Sequence, residues 1–489
     1  FEPAENGLAI QGLPATSTLP AVIPTADYKI ETTRDMAGVN VFYLAVSLII
    51  MGVGFLKPNI STIVGQLYPQ GDPRRDSGFT LYYYGINLGA FWAAVLCGLL
   101  GQTVGWWAGF GLAGVGMALG WVVFVLGKPL LQGKGEPPAE ANLKKPVLGP
   151  INREWSIYLA SILGVGVVWF MVQRNALVGW VLGAATVASL LFILYVIVKV
   201  CESKAQRERM MLALVLIFGS VVFFTLFEQA GTSLNLFADR NVDLSITPHA
   251  FQFLGMTVGT PAQLAAAGIT PTGLWIDATI TAAQTQSFNA GFILIFAPIM
   301  AALWAFLAKR NLDPNPTMKF GLGLLQVGLG FMVVVWGAGM ANSAFQMPLI
   351  LLGLLYLFHT TGELFLSPVG LSEITKLSMA KVVSFMMAVW FLASSIAQYV
   401  GGWIAGLAGT ETVGGQVLNP GAALRTSLEV FGMLGMWGMG IGVAFIVISF
   451  FIKGWSHGAN SGGDHPGPDL TDRGQEDGNI AAPRTSTVG

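Results

Sequence analysis

Charge is what this chain lacks. Asp, Glu, Lys and Arg make up 10% of its 489 residues, and 54% are hydrophobic; a water-soluble domain carries about 25% charged residues. A chain so poor in charge cannot clothe its surface for water, so most of that surface must face lipid. The formal net charge of −1 supplies no basic face for nucleic acid. Cysteine is scarce too: Cys97 and Cys201 lie in or beside apolar runs and read as packing residues rather than a disulfide. His249, His359, His457 and His465 are scattered, and no HExxH, CxxC, GxSxG or P-loop pattern occurs, so neither a metal site nor an intramembrane enzyme has a constellation to build on. No signal peptide precedes the first apolar run.

Long apolar stretches are abundant. A membrane-crossing helix needs about 20 mostly apolar residues, and that window predicts eleven spans: 40–64, 79–100, 106–126, 153–173, 176–199, 209–235, 287–308, 318–340, 347–372, 381–407 and 428–452. Residues 1–38 read as a solvated loop, 241–285 as one long internal connector, and 455–489 as a disordered tail too poor in apolar residues to offset its ordering entropy. Taking alternate connectors as one side, seventeen Lys and Arg (Arg74, Lys128, Arg207 and Lys309 among them) fall on one side and five (Lys29, Arg34, Arg174, Arg240, Arg425) on the other. Basic loops stay cytoplasmic, so 241–285 is expected outside and the C-terminus inside. By parity 1–38 is then an outer loop, which with a first residue other than Met leads to the expectation of an odd number of spans upstream.

Three ionisable residues interrupt these runs: Lys57 in FLKPNISTIVG, Glu228 in FFTLFEQAGTS and Glu363 in LFHTTGELFLSPVG. Each costs about 2.5–3.5 kcal/mol near the bilayer centre on insertion scales, which makes such residues rare and usually functional; the plain alternative is snorkelling or a buried structural pair. Pro58 follows Lys57, Pro368 follows Glu363, and glycines flank all three, so kinked or broken helices lining a cavity are expected there. Tyr83 with Asn87, Trp390 with Ser394 and Glu363 with Ser367 are i,i+4 pairs on single helix faces, and Asn289 sits one turn into a span; interhelical hydrogen bonding is the alternative reading of such pairs. A lysine, a glutamate and two amides together can hold the two charged ends and the backbone of a zwitterionic peptide.

The run FLKPNISTIVGQLYPQGDPRRDSGFTLYYYGINLGAF at 55–91 closely resembles the fourth and fifth spans of the proton-dependent oligopeptide transporters of the major facilitator superfamily. FFTLFEQAGTSLNLFADR (223–240), GELFLSPVGLSEITKL (362–377) and WFLASSIAQYVGG (390–402) are similar to that family's seventh, tenth and eleventh spans, and the hairpin at 153–199 resembles the two helices that bacterial members insert between the halves. The resemblance implies an all-α polytopic membrane protein: a major facilitator fold lacking its first three spans, and with them the ExxERFxYY motif. Its parts would be an extracytoplasmic loop (1–38), the remaining three spans of the N-terminal bundle (39–127), a linker with the inserted hairpin (128–207), a six-helix C-terminal bundle with its outer loop 241–285 (208–454), and the cytoplasmic tail (455–489).

Carried over residue by residue, Lys57 resembles the lysine that meets the peptide carboxylate and pairs with the tenth-span glutamate. Glu363 resembles that partner, which also receives the peptide amino group, and Glu228 the seventh-span acid of proton coupling. Asn87 and Asn289 resemble the amides at the peptide ends; Trp390 and Ser394 resemble a pocket wall and gate, and Tyr83 shares the Asn87 face. The function implied is proton-coupled import of di- and tripeptides across a bacterial inner membrane, by a monomer, with protons as the driving ion and no cofactor. The rivals are a symporter for an amino acid, nitrate or a peptide-like drug, and a non-transporting receptor or scaffold.

Overall fold

A computed structural model describes residues 2–457, apart from 5–6, 11, 15–16, 30–32, 69–74, 137–139, 150, 272, 311, 380, 410–411, 414–415 and 418. The expected disordered tail falls almost wholly outside the described residues. Before the first helix, β1 (Glu2–Ala4), β2 (Gly7–Ala9) and β3 (Val22–Pro24) form an antiparallel sheet in chain order, with Glu2 opposite Ala9 and Gly7 opposite Pro24. The stretch read as a plain loop is therefore partly paired.

Among the described residues eleven helical segments are long and apolar enough to cross a membrane, and they match the eleven predicted. The N-terminal part holds α1 (Met36–Gln66), α2 (Arg75–Thr103) and α3 (Trp106–Gly127). The Asp35 carboxylate caps α1 by accepting from the Ala37 N–H at 3.0 Å. A Cβ on Gly109 would lie 2.6 Å from the Cys97 carbonyl oxygen, so glycine is what lets α3 close on α2. The linker carries α4 (Glu140–Leu143) and the hairpin β4 (Pro146–Leu148) and β5 (Ile151–Asn152). Then follow α5 (Arg153–Val172), started by the Asn152 side chain accepting from Trp155, and α6 (Asn175–Tyr195), which ends in a π turn at Val196–Val200. This inserted hairpin touches both sides: the Trp169 indole donates to the Asn40 carbonyl of α1, and the Tyr399 hydroxyl donates to the Asn175 carbonyl of α6.

The C-terminal bundle begins with α7 (Lys204–Phe227) behind a Ser203/Gln206 capping box. The span read as 209–235 is not one helix. After Phe227 the chain takes a 3-10 turn, Glu228–Gly231, reaches Thr232 at φ −127°, ψ −96°, and only then enters α8 (Ser233–Asn241). The connector between α8 and α10 is folded: β6 (Val242–Asp243), β7 (Phe251–Phe253), β8 (Met256–Val258), α9 (Pro261–Ala267) and β9 (Leu274–Ile276). Its sheet runs β7-β8-β9, antiparallel and then parallel.

Helices α10 (Ser287–Lys309), α11 (Pro316–Trp336), α12 (Leu349–Leu377), α13 (Val383–Leu407) and α14 (Pro420–Ile452) complete the bundle. Strand β10 (Met347–Pro348) pairs with β6 in parallel at the root of α12, and β11 (Thr412–Val413) with β12 (Gln416–Val417) links α13 to α14. The densest seam is α11 against α14, where a Cβ on Gly328 would sit 2.5 Å from the Met439 nitrogen. The core around it is aromatic and aliphatic: Phe223, Phe320, Phe331, Phe431 and Tyr356 are all buried. Both cysteines are free, with Cys201 buried beside Met379.

Two expectations about irregular backbone are corrected. Helices α1 and α12 run unbroken through Pro58 and Pro368, since losing a single hydrogen bond does not end a helix whose neighbours hold it. Of the three charged positions where irregular backbone was expected, Glu228 is where the helix breaks, and no proline stands there.

Candidate functional site

The polar groups meet where α10 and α12 face each other. The Asn289 amide donates to the Glu363 carboxylate at 3.1 Å and to the Thr360 hydroxyl at 3.0 Å, and Thr360 donates in turn to the Tyr356 carbonyl one turn back at 2.7 Å. Glu363 and Asn289 are partly buried and Thr360 is fully buried. Helix spacing dictates the arrangement, because residues 356, 360 and 363 lie on one face of α12. Glu228, at the α7–α8 break, adds its charge to the field at Glu363, and the Gln398 amide of α13 reaches the Glu228 carboxylate at 3.4 Å.

The N-terminal part contributes α2. The Gln284 amide donates to the Val95 carbonyl, and the Ala283 N–H donates to the Gln102 side chain. With Phe91 beside Gly291, these contacts clasp α2 to α10 and to the turn before it. Two turns inward from that clasp stand Tyr83 and Asn87. Asn87 is buried and donates to the Tyr83 carbonyl at 3.0 Å, while the Tyr83 hydroxyl lies in the electrostatic field of Glu363. Tyr83, Asn87, Asn289 and Glu363, together with Glu228, thus form one polar neighbourhood drawn from both halves.

Three sequence-predicted residues stand elsewhere. Lys57 is exposed on α1. The physical reason is the packing of α1: it leans on α5 through Met51 against Gly164 and through Asn40. Trp390 is 6% exposed, edge-on to Phe320 at 6.5 Å and pressed on Gly370. Gly370 is seven residues from Glu363, or about 10 Å along the helix at 1.5 Å per residue. Ser394 is partly exposed one turn beyond Trp390, and Ser367 lies outside the residues whose side chains are described.

The structure also adds residues that sequence reasoning passed over. His359 sits one turn before Glu363, buried between Phe331 (centroids 4.8 Å) and Phe227; a Cβ on Gly330 would come within 2.7 Å of its ring. The Gln286 amide donates to the Ala230 carbonyl at 2.5 Å and to the Tyr356 hydroxyl at 3.3 Å, which braces the helix break against α10 and α12. Spacing could have found His359, since it is four residues from Glu363; Gln286 could not have been found that way.

The sequence pattern of the POT family matches residues 7–257 and 272–418, well over half of the chain. The chain belongs to the POT family. Among relatives of this POT member is an uncharacterised transporter, YclF, of Bacillus subtilis (strain 168), 35% identical over 370 residues, which are 75% of this chain and 68% of that protein. Another is dipeptide and tripeptide permease A of Erwinia pyrifoliae, 30% identical over 402 residues, covering 81% of this chain and 72% of the permease. A solved structure of a mutant peptide transporter POT in complex with alafosfalin is similar at a TM-score of 0.64 and 30% identity, over 85% of this chain and 76% of the other. With eleven span-length helices among the described residues, this POT member is a multi-pass membrane transporter.

Proposed function

We propose that this POT member is a proton-coupled symporter that imports di- and tripeptides by alternating access. The observation that carries this reading is the Asn289–Glu363–Thr360 cluster, with Tyr83 and Asn87 brought beside it from the other half. A carboxylate that would be costly alone in lipid is held by an amide and faces a neighbour able to bond a peptide backbone. The names of its relatives point to the same substrate class.

In this reading Glu363 meets the peptide amino group, and Asn87 and Asn289 hold its ends. Glu228 and Glu363 exchange the coupling proton. Lys57 serves in the state where α1 approaches α12; there it pairs with Glu363 when the site is empty, and an arriving peptide carboxylate or proton separates them. Breaking such a pair without replacement leaves an uncompensated buried charge, so the pair's state biases which side of the site is open. Trp390 supports the site from the α11–α12 core, with Ser394 one turn along. The protein works as a monomer in a bacterial inner membrane with its C-terminus in the cytoplasm, driven by the proton gradient and without a cofactor or catalytic step of its own.

The test is uptake of labelled dipeptide into proteoliposomes under an imposed proton gradient. Glu363→Gln should abolish gradient-driven uptake, and Lys57→Ala should do the same while inserting normally. Uptake by Glu363→Gln equal to that of the unaltered protein would remove the carboxylate from the mechanism.

A further inference from the structure

The connector between α8 and α10 has an unusual surface. From Leu244 to Gln286 the one Asp, Glu, Lys or Arg is Asp277, whereas a domain bathed in water carries about a quarter charged residues. Its folded part also turns apolar side chains outward. Phe251 and Phe253 of β7 and Leu274, Trp275 and Ile276 of β9 are all exposed, while Thr257 on the central strand and Leu264 on α9 are buried. Both outer strands of this small sheet are thus apolar and open.

The turn joining β7 to β8 sharpens the case. Phe253 pairs with Met256, which leaves Leu254 and Gly255 as a two-residue turn with φ of +49° and +77°. Such turns require left-handed backbone at both positions and favour Asn, Asp or Gly at the first. Here a leucine takes that strained place, 82% exposed, so the hairpin ends in the apolar run Phe253–Leu254–Gly255–Met256.

Position supplies the third observation. Strand β6 leaves α8 and pairs with β10 at the root of α12. The Ile246 N–H donates to Ala278 and the Ile280 N–H to Leu244, closing the base of the subdomain beside the adjoining ends of α8 and α10. The sheet hangs a few residues from that level.

We propose that the β7–β9 sheet is an interfacial anchor. The Phe253–Leu254 tip and the Leu274–Trp275–Ile276 edge enter the boundary between lipid headgroups and acyl chains, at the end of the bundle where α8 and α10 emerge. An uncharged, aromatic-bearing surface continuous with spanning helices matches that zone, where Trp and other amphipathic aromatics collect. The Trp275 N–H is already donated to the Gly259 carbonyl at 3.0 Å, so its ring offers apolar area without an orphaned donor. Amphipathic segments of this kind seat about 5–10 Å into the boundary. The anchor would hold the connector against the membrane rather than over open water.

The test uses the whole chain with Cys97→Ala and Cys201→Ala, a nitroxide at Leu254→Cys, and vesicles of phosphatidylethanolamine and phosphatidylglycerol. Phe253→Cys serves as a second reporter. Collisions with oxygen, which concentrates in lipid, should exceed those with a water-soluble nickel chelate at both positions. Nickel exceeding oxygen would place the tip in water and overturn the proposal. Low accessibility to both reagents would mean that protein, a second copy included, covers the tip, and would overturn it equally.

Discussion

Helices α1 and α3 are about as apolar as α7 and α11 but differ sharply from them in burial. In the Met36–Lys57 and Trp106–Leu131 spans 6% of the scored window is buried, against 56% in both Lys204–Asn241 and Pro316–Met340, although Pro316–Met340 has the lowest hydropathy of the four. Glycine separates the two regions more sharply still. On α3, added Cβ atoms at Gly111, Gly114, Gly116 and Gly120 would meet nothing within 4 Å; on α11 those at Gly321, Gly323, Gly328 and Gly330 would all strike a neighbour at 2.9 Å or less. Hydropathy therefore reports that a helix avoids water. Whether it faces lipid or protein is decided by small residues that let backbones approach and by polar groups that bond across.

The largest expected effect that sharpens this contrast is Gly328→Val. It drives a branched side chain into the α14 backbone and should cost about 3 kcal/mol, read as a lowered thermal midpoint in detergent. Next is Gln229→Ala. The Gln229 amide donates to the Thr225 and Gly401 carbonyls and its oxygen accepts from Ser233, all buried; leaving those groups unmet should cost about 2 kcal/mol and loosen the α7–α8 break against α13. Smaller is Arg209→Ala. Arg209 holds the Ser456 and His457 carbonyls at 3.1 and 2.8 Å, and because the contact is largely exposed its loss should cost about 1 kcal/mol, seen as faster proteolysis after α14. Smallest is Gly116→Ala on α3, which should change the midpoint by about half a kcal/mol or less. A large loss at Gly116 with none at Gly328 would reverse the comparison.

Much of the fold was legible in residues because lipid imposes one rule per span. Eleven runs were expected, eleven helices of that kind stand among the described residues, and the 153–199 hairpin is α5 and α6. What escaped depends on contacts between distant segments. Proline pointed to kinks at 58 and 368, yet the break is at Glu228, where Gln229 bonds to Gly401 of α13 and Gln286, in the turn before α10, bonds to Ala230. The connector 241–285 showed no long periodicity; its strands are three residues or shorter and owe their order to pairing across the loop. At the site, Asn289 and Glu363 were legible as polar residues on apolar faces, and they do meet. Lys57 was equally conspicuous, but the packing of α1 on α5 sets where it stands, and the residues of α1 do not disclose that.

The central claim is that both halves build one site, with Asn87 from α2 and Glu363 from α12 acting on the same ligand. A double-mutant cycle on dipeptide affinity tests it directly, with Asn87→Ala, Glu363→Gln and the pair measured in the same protein. Independent positions add to within about 0.3–0.5 kcal/mol, and residues sharing a network depart from additivity by about 0.5–3 kcal/mol. The account predicts a coupling of about 1 kcal/mol or more. Strict additivity, or an affinity indifferent to Asn87, would contradict it.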